Sequence, residues 1–149
     1  MRLDSLTPIE RSARMGKVRS RANASTEQNV AAALRRAKVS GWRRHVSVAG
    51  RPDFFFASQR LAVFVHGCFW HGCPRCYRPP KGENRLFWRA KVVENRKRDD
   101  RVRRRLRAGG VATMVIWEHE LRDPRWLNRL TRRLSSLASW SNNLVSAVR

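Results

Sequence analysis

Three cysteines, Cys68, Cys73 and Cys76, lie within nine residues of a segment rich in glycine and proline. Their odd number argues against a disulfide scaffold and favours metal ligation. The Cys73-x-x-Cys76 spacing is typical of zinc sites, in which Cys and His provide four ligands. Cys68 is close enough to be a third ligand, and the alternative is three unrelated reduced thiols. The segment therefore predicts a structural zinc whose fourth ligand is one of three histidines, His66, His71 or His119.

Two isolated carboxylates are the second chemical feature of the chain. Between Arg11 and Gly82 the acidic residues are Glu27 and Asp53 alone. Mg²⁺ binds one or two carboxylates together with water and phosphate oxygens, so it lets a carboxylate face a nucleic acid without repulsion. In the alternative, both carboxylates have structural roles only: Glu27 complements a helix dipole and Asp53 makes a turn. Because an apolar run follows Asp53 at once, we expect it to begin a strand and to bind the metal.

The charge of the whole chain indicates a polyanionic partner. Its 149 residues include 33 Lys and Arg against 11 Asp and Glu, a formal charge of +22. The positive charge is spread along the chain, which favours nucleic acid over a membrane surface. A hydrophobic content of 42%, with six Trp and six Phe, is sufficient for a core. Because neither a bilayer-spanning run nor a secretory signal is evident, we expect a cytoplasmic protein.

The elements that must position these residues follow from periodicity and turn signals. We predict a basic arm over residues 1–24 and a single domain over residues 25–149. A capping box formed by Ser25 and Gln28 starts the first helix. The further elements are expected to be strands over 42–48, 52–56 and 61–65, a loop over 67–82, a basic helix over 84–108, a strand over 111–117 and a C-terminal amphipathic helix. This order predicts an α/β fold around a mixed sheet.

Aromatic and basic residues follow the cysteines. Phe69 and Trp70 lie in the loop itself, where large rings are uncommon unless they pack in a core. The helix from Arg85 to Arg107 holds eleven Lys and Arg against Glu94, Asp99 and Asp100. We expect one face of this helix to meet phosphates, the alternative being a solvated charged surface.

Four segments carry a resemblance to a known family. They are Gly50 to Phe54, Phe64 to His71, Phe87-Trp88 and Val115 to Glu118. In their order and spacing, from about Arg11 to Arg133, the chain resembles the very short patch repair (Vsr) endonucleases, which nick DNA beside a T:G mismatch left by deamination of 5-methylcytosine. The resemblance implies a restriction-endonuclease-like fold, one structural zinc and Mg²⁺-dependent phosphodiester hydrolysis.

The resemblance also implies roles for single residues of the hydrolytic site. The metal-binding aspartate of the family falls on Asp53, and the backbone carbonyl of Val65 is a further Mg²⁺ ligand. The catalytic histidine falls on His71, the supporting acid of the first helix on Glu27, and a second histidine of the site on His66.

The zinc ligands depart from the family pattern at two positions. The family has a histidine where this chain has Cys73, and a cysteine where it has His119. The two exchanges leave three cysteines and one histidine, so the expected ligands are Cys68, Cys73, Cys76 and His119, with His66 as the second choice for the histidine. The loop between Cys68 and Cys76 is one residue longer than in the family.

Three aromatic residues resemble the intercalating wedge of the family: Phe69, Trp70 and Trp88. Trp88 could instead pack its helix onto the sheet. The implied partners are a duplex with a T:G mismatch and, downstream, a repair polymerase and ligase. We expect a monomer in the bacterial cytoplasm, at the nucleoid when it is bound to DNA. The rival hypotheses are a restriction-type endonuclease without mismatch preference and a non-catalytic, zinc-stabilised DNA-binding protein.

Overall fold

The computed structural model describes residues 26–146, with side chains as far as residue 139. The predicted basic arm, residues 1–24, and the predicted cap Ser25 lie outside this part of the chain. The elements in chain order are α1 (26–36), β1 (Trp42–Arg43), β2 (Phe54–Phe56), β3 (Leu61–His66), α2 (Arg85–Ala108), β4 (Ala112–Trp117), a 3₁₀-helix (Glu118–Arg122) and α3 (Arg125–Ser146). This order agrees with the predicted one, apart from the 3₁₀-helix, which the sequence reading missed.

The four strands form one mixed sheet in the order β1-β2-β3-β4. The first three strands are antiparallel, and Phe54 of β2 is opposite Val63 of β3. The last pair, β3 and β4, is parallel, with His66 opposite Trp117. A parallel pair needs a long crossover, and here the Cys-rich loop and α2 provide it. The prediction of a mixed α/β sheet flanked by helices is confirmed.

The main core lies between one face of the sheet and the helices α1 and α3. It consists of buried side chains from α1, β2, β3, β4 and α3: Val30, Ala31, Leu34, Phe54, Phe56, Leu61, Val63, Val65, Ile116, Trp126 and Leu130. Alternate residues of a strand point to opposite faces, so His66 belongs to the other face of β3. On that face His66 stacks on His71, which in turn contacts α2.

Three predicted strands are shorter in the structure. The strand predicted over 52–56 begins at Phe54, after Pro52 and Asp53. The strand predicted over 42–48 ends at Arg43, because His45 adopts a positive φ angle of 55°, which interrupts extended backbone. The strand predicted from Val111 begins at Ala112. The Val111 backbone N–H donates to the Leu106 carbonyl at 2.9 Å and thereby closes the end of α2.

Among the described residues, no helix has the length and apolar character that crossing a bilayer requires.

Candidate active site and metal centre

Three thiols and one imidazole converge at the end of the sheet. The Sγ atoms of Cys68, Cys73 and Cys76 lie 3.2, 3.6 and 3.6 Å from Nδ1 of His119. All four ligand atoms lie within 4.8 Å of one another. A tetrahedral Zn²⁺ with bonds of about 2.3 Å to sulfur and about 2.0 Å to nitrogen separates S and N by roughly 3.6 Å. The cluster could therefore bind zinc without rearrangement.

Electrostatics within this cluster also favour a cation. Burial raises the pKa of the Cys68 thiol to about 12, and a hydrogen bond with Cys76 adds to the shift. Burial also raises the pKa of the Cys73 thiol, but hydrogen bonds with the backbone of Cys76 and Arg75 outweigh it, so the pKa of Cys73 is lowered and Cys68 is the thiol that resists ionisation. A divalent cation at the centre reverses this balance, since metal-bound thiols are deprotonated.

The parallel register of β3 and β4 explains how residues so distant in sequence meet. His66 pairs with Trp117 at the ends of the two strands, so Cys68 and His119 follow at equivalent positions. The Cys68 backbone N–H donates to Oε2 of Glu118 at 3.1 Å, and the Cys73 backbone N–H donates to the Cys68 carbonyl at 2.8 Å. These bonds fold the loop so that all three thiols face the 3₁₀-helix.

The structure selects His119 among the three candidate histidines. His66 and His71 lie outside the Cys cluster and stack on each other, with ring centroids 3.8 Å apart and an interplanar angle of 13°. Together with Asp99 they form a second group whose ligand atoms are close enough to hold a metal. Two separate groups of potential metal ligands therefore lie on the two sides of the same loop.

His71 is held by α2. Its Nδ1 lies 2.6 Å from Oδ2 of Asp99. Partial burial raises the pKa of Asp99, but the hydrogen bond and charge of His71 more than offset this, so the pKa lies below its ordinary value. Burial and the neighbouring charge of His71 lower the pKa of His66 to about 3, so His66 is neutral near pH 7.

Asp53 lies immediately before β2, where the antiparallel pairing brings it to β3. The Val65 backbone N–H donates to Oδ2 of Asp53 at 2.6 Å. Burial raises the pKa of Asp53 to about 7 against the lowering effect of that bond, and the nearby Glu27 charge raises it further. Glu27 itself forms an ion pair with Arg44. Two adjacent carboxylates, one of them largely buried, favour a bound cation because it stabilises their ionised forms.

One cleft unites the predicted hydrolytic residues. Its volume is about 410 Å³, and Asp53, Val65, His66 and His71 line it. Asp99, Arg98 and Arg103 of α2 form the opposite wall. Glu27 lies outside this cleft and lines a smaller one of about 220 Å³, which shares Asp53 with it. A carboxylate, imidazoles and arginines around one cleft suit hydrolysis of a phosphate ester.

The three predicted wedge residues pack together at the mouth of the loop. Ring centroids are 5.2 Å apart for Phe69 and Trp70, 5.6 Å for Phe69 and Trp88, and 5.7 Å for Trp70 and Trp88. All three are partly exposed, and the adjoining Leu86 and Phe87 are 70% and 44% exposed. Large rings brought together at a surface beside a basic helix form a platform that can stack on bases.

Sequence reasoning missed three residues of α2 that hold the loop. Asn95 donates to the Trp70 carbonyl at 2.8 Å, Arg96 donates to the Gly72 carbonyl, and Asp99 holds His71. A signal for Asp99 was present, because it belongs to a row with the three-and-four spacing of one helix face. That row is Val92, Asn95, Asp99, Val102 and Leu106.

A comparison with protein families identifies the chain. The family model of the DNA mismatch endonuclease Vsr matches residues 3–78, half of the chain. By this match and by its relatives the chain is a DNA endonuclease. More particularly, it belongs to the Vsr family, as the resemblance predicted.

Individual relatives agree with this assignment. The chain is 39% identical to the type II nicking enzyme V.XorIIP of Xanthomonas oryzae over 137 residues, which cover 90% of this chain and 96% of the relative. It is 36% identical to the type II nicking enzyme V.NmeDIP of Neisseria meningitidis over 126 residues, 80% of either chain. Identity to the DNA mismatch endonuclease Vsr of Escherichia coli is 40% over 91 residues, 59% of this chain and 58% of that one.

Proposed function

We propose that this endonuclease depends on Mg²⁺ and nicks one DNA strand beside a T:G mismatch that arises from deamination of 5-methylcytosine. The observation that carries the proposal is the convergence of Asp53, His66, His71 and Asp99 on one cleft in a chain of the Vsr family. The names of its relatives, nicking enzymes and a mismatch endonuclease, support cutting of a single strand and a mismatched substrate.

The residues that would hold Mg²⁺ are Asp53 and the backbone carbonyl of Val65. Hard oxygen donors beside a phosphate suit this ion, and Glu27 adds a second carboxylate near Asp53. When bound, the ion would neutralise charge that develops on the scissile phosphate. Without a bound cation the pKa of Asp53 is about 7. A bound Mg²⁺ would stabilise the ionised form of this carboxylate, and the ionised carboxylate would in turn hold the ion.

His71 is the proposed general base. Because Asp99 engages Nδ1, the other ring nitrogen, Nε2, is left to accept a proton from the attacking water. The stacked, neutral His66 restricts rotation of the His71 ring without adding a competing positive charge. Glu27, held by Arg44, supports Asp53 from the other side.

Zinc in the Cys68, Cys73, Cys76 and His119 cluster would set the shape of the loop that carries Phe69, Trp70 and His71. The wedge of Phe69, Trp70 and Trp88 would insert between bases. Opening a base step costs a few kcal/mol and less at a poorly stacked wobble pair, so insertion itself would select mismatches.

The architecture completes the proposal. Asp53 lies at the start of β2, and the cleft lies at the end of β3, the antiparallel partner of β2. This arrangement supports a restriction-endonuclease-like fold. We propose one such domain over residues 25–149, acting as a monomer on duplex DNA. A repair polymerase and ligase would act on the nick.

A strand-specific nicking assay tests this function. Duplexes with a T:G pair and matched duplexes, each strand labelled separately, are incubated with Mg²⁺ and wild type, Asp53→Ala or His71→Ala. We expect a single nick beside the mismatch with wild type and a loss of about 10²-fold or more with either variant. Glu94→Ala, which removes an exposed carboxylate of α2, is the control and should nick as wild type does.

The other outcomes identify the rival functions. Cutting of both strands of a matched site would favour a restriction-type endonuclease. Binding without any Mg²⁺-dependent cutting would favour a zinc-stabilised DNA-binding protein.

A further inference from the structure

A second cleft, outside the hydrolytic site, runs along the C-terminal half of α2 and the edge strand β4. Its volume is about 880 Å³. Four arginines and one acid line it, together with residues at the start of β4: Asp100, Arg103, Arg104, Arg107, Gly110, Val111, Ala112, Thr113 and Arg133. We refer to it below as the arginine cleft.

We propose that the arginine cleft binds backbone phosphates of the DNA strand that leaves the hydrolytic cleft on one side of the nick. The proposal extends the proposed function, because it takes the cleft around Asp53 and His71 as the place where the strand is cut.

Three of the four arginines of the arginine cleft lack an ion-pair partner among the described residues. Asp100 is paired with Arg103. Among the residues that the structure describes, no ion pair includes Arg104, Arg107 or Arg133. These three side chains are exposed, so their charges face solvent around a concave surface. A cleft lined by four arginines and one carboxylate keeps a positive excess that attracts a polyanion, and the chain acts on one.

The arginine cleft is continuous with the hydrolytic site. Arg103 lines both clefts, and Asp100 lies next to Asp99, which holds His71. From Asp99 to Arg107 the helix advances eight residues, about 12 Å at 1.5 Å per residue. A DNA strand advances about 3.4 Å per nucleotide, so this length spans roughly three to four nucleotides. A strand cut beside His71 can therefore continue along the arginines without a break.

The chemistry of the lining specifies how the cleft binds. Arginine offers a planar fork of donors that matches phosphate oxygens, and Thr113 adds a hydroxyl. No aromatic ring is among its described lining residues, so the cleft lacks the aromatic platform that proteins use to stack bases. Contacts of this kind fix position on the duplex and carry no sequence information. We therefore expect the arginine cleft to contribute equally to matched and mismatched DNA.

Binding measurements on uncut DNA test the proposal. Fluorescence anisotropy without divalent metal compares wild type with the triple variant Arg104→Gln, Arg107→Gln, Arg133→Gln. Log K falls with log salt, and each lost phosphate contact makes this negative slope less steep by about 0.9. We therefore expect the slope of the triple variant to be less steep than that of wild type by about two to three. The affinity at about 0.1 M salt should fall tenfold or more, equally for matched and T:G duplexes.

A matched control separates local contacts from overall charge. The triple variant Arg36→Gln, Lys38→Gln, Arg132→Gln removes the same charge at exposed positions that do not line the arginine cleft. Its affinity and salt slope should stay close to those of wild type. Equal losses in both triple variants would overturn the proposal, as would an unchanged affinity in the cleft variant. If the triple variant does not fold, the double variant Arg104→Gln, Arg107→Gln replaces it. Its losses of affinity and of salt slope should be about two thirds as large, because two of the three contacts are removed.

Truncated duplexes locate the strand. The duplex is shortened by about four base pairs on one side of the nick or on the other, which removes the length that the arginine cleft can span. Truncation on the side that the arginine cleft contacts should lower the affinity of wild type. The cleft variant has already lost these contacts, so the same truncation should lower its affinity little further. Identical sensitivity of both proteins on both sides would contradict the proposal. Because no cutting is required, these results stand or fall independently of the nicking assay.

Discussion

At the scale of single residues, the hydrolytic site rests on pairs of side chains. His71 is the clearest case, since a carboxylate of α2 holds one ring nitrogen and the ring of His66 stacks on its face. Such an arrangement fixes the tautomer and orientation of an imidazole before substrate arrives. Asp99 acts through His71 and is a positioning residue.

Replacing Asp99 with asparagine should slow nicking without weakening DNA binding. The amide keeps the size of the side chain but stabilises neither the tautomer nor the protonated form of His71. We expect single-turnover nicking at saturating enzyme to fall by about 10²-fold, with affinity for uncut DNA within twofold of wild type. An equal loss of affinity and rate would indicate a general loss of structure. Glu94→Gln is the control on the same helix.

Trp70→Ala should reduce discrimination between T:G and matched DNA more than it reduces binding to matched DNA. The ring is partly exposed and contacts Phe69 and Trp88 at the mouth of the loop. A wedge contributes where a base step opens easily, whereas a packing residue affects every substrate alike. Competition binding with both duplexes measures the ratio, and equal losses on both would make Trp70 a packing residue.

At the scale of elements, α2 is the scaffold of the site. Asn95 of this helix donates to the Trp70 carbonyl, and Arg96 donates to the carbonyls of His71 and Gly72. The same helix forms one wall of the hydrolytic cleft and of the arginine cleft. The polar residues Asn95, Arg96 and Asp99 of the long basic helix therefore hold the Cys-rich loop that carries His71.

Gly72→Ala tests how closely the loop approaches α2. A Cβ there would lie 2.5 Å from Cγ1 of Val92 and 2.8 Å from Nε of Arg96, and φ is +61°. We expect a loss of about 1–3 kcal/mol from the clash, in addition to about 1 kcal/mol of backbone strain. Gly82→Ala is the matched control, since its φ is +91° and nothing lies within 4 Å of its Cβ. Urea unfolding measures both variants, and equal losses would contradict the close approach.

At the scale of the whole molecule, the Cys-His cluster joins the start of the crossover to the segment that follows β4. It links the loop after β3 to the 3₁₀-helix after β4, so a metal there would close a long stretch of chain. Such closure stabilises the folded state because a metal that binds it preferentially shifts the folding equilibrium.

Purified protein should contain about one zinc per chain, because the cluster offers one complete set of four ligands. Metal analysis should show a lower content in His119→Ala, and a chelator should lower the melting temperature of wild type. His45→Ala, the matched removal of an imidazole outside the cluster, should keep its zinc. Full zinc in His119→Ala would exclude this histidine as a ligand.

The mixed sheet and its order of elements were predictable because they follow from local signals, namely apolar periodicity, caps and glycine stops. The truncation of the first strand was not, because a positive φ angle at His45 is unusual for this residue type. Local propensity therefore gave the helices, the strands and their order, and it missed the 3₁₀-helix and the exact ends of three strands.

The sequence by itself determined the types of ligand, the isolated carboxylates, the basic surface and membership of the Vsr family, since all of these reside in composition and short-range spacing. The resemblance already gave His119 as the expected fourth ligand, and the tertiary structure places it beside Cys68, 51 residues away along the chain. Only the tertiary structure decided that Asp99, 28 residues from His71, holds that histidine. The physical reason is that the parallel register of β3 and β4, with α2 as their crossover, brings these residues together.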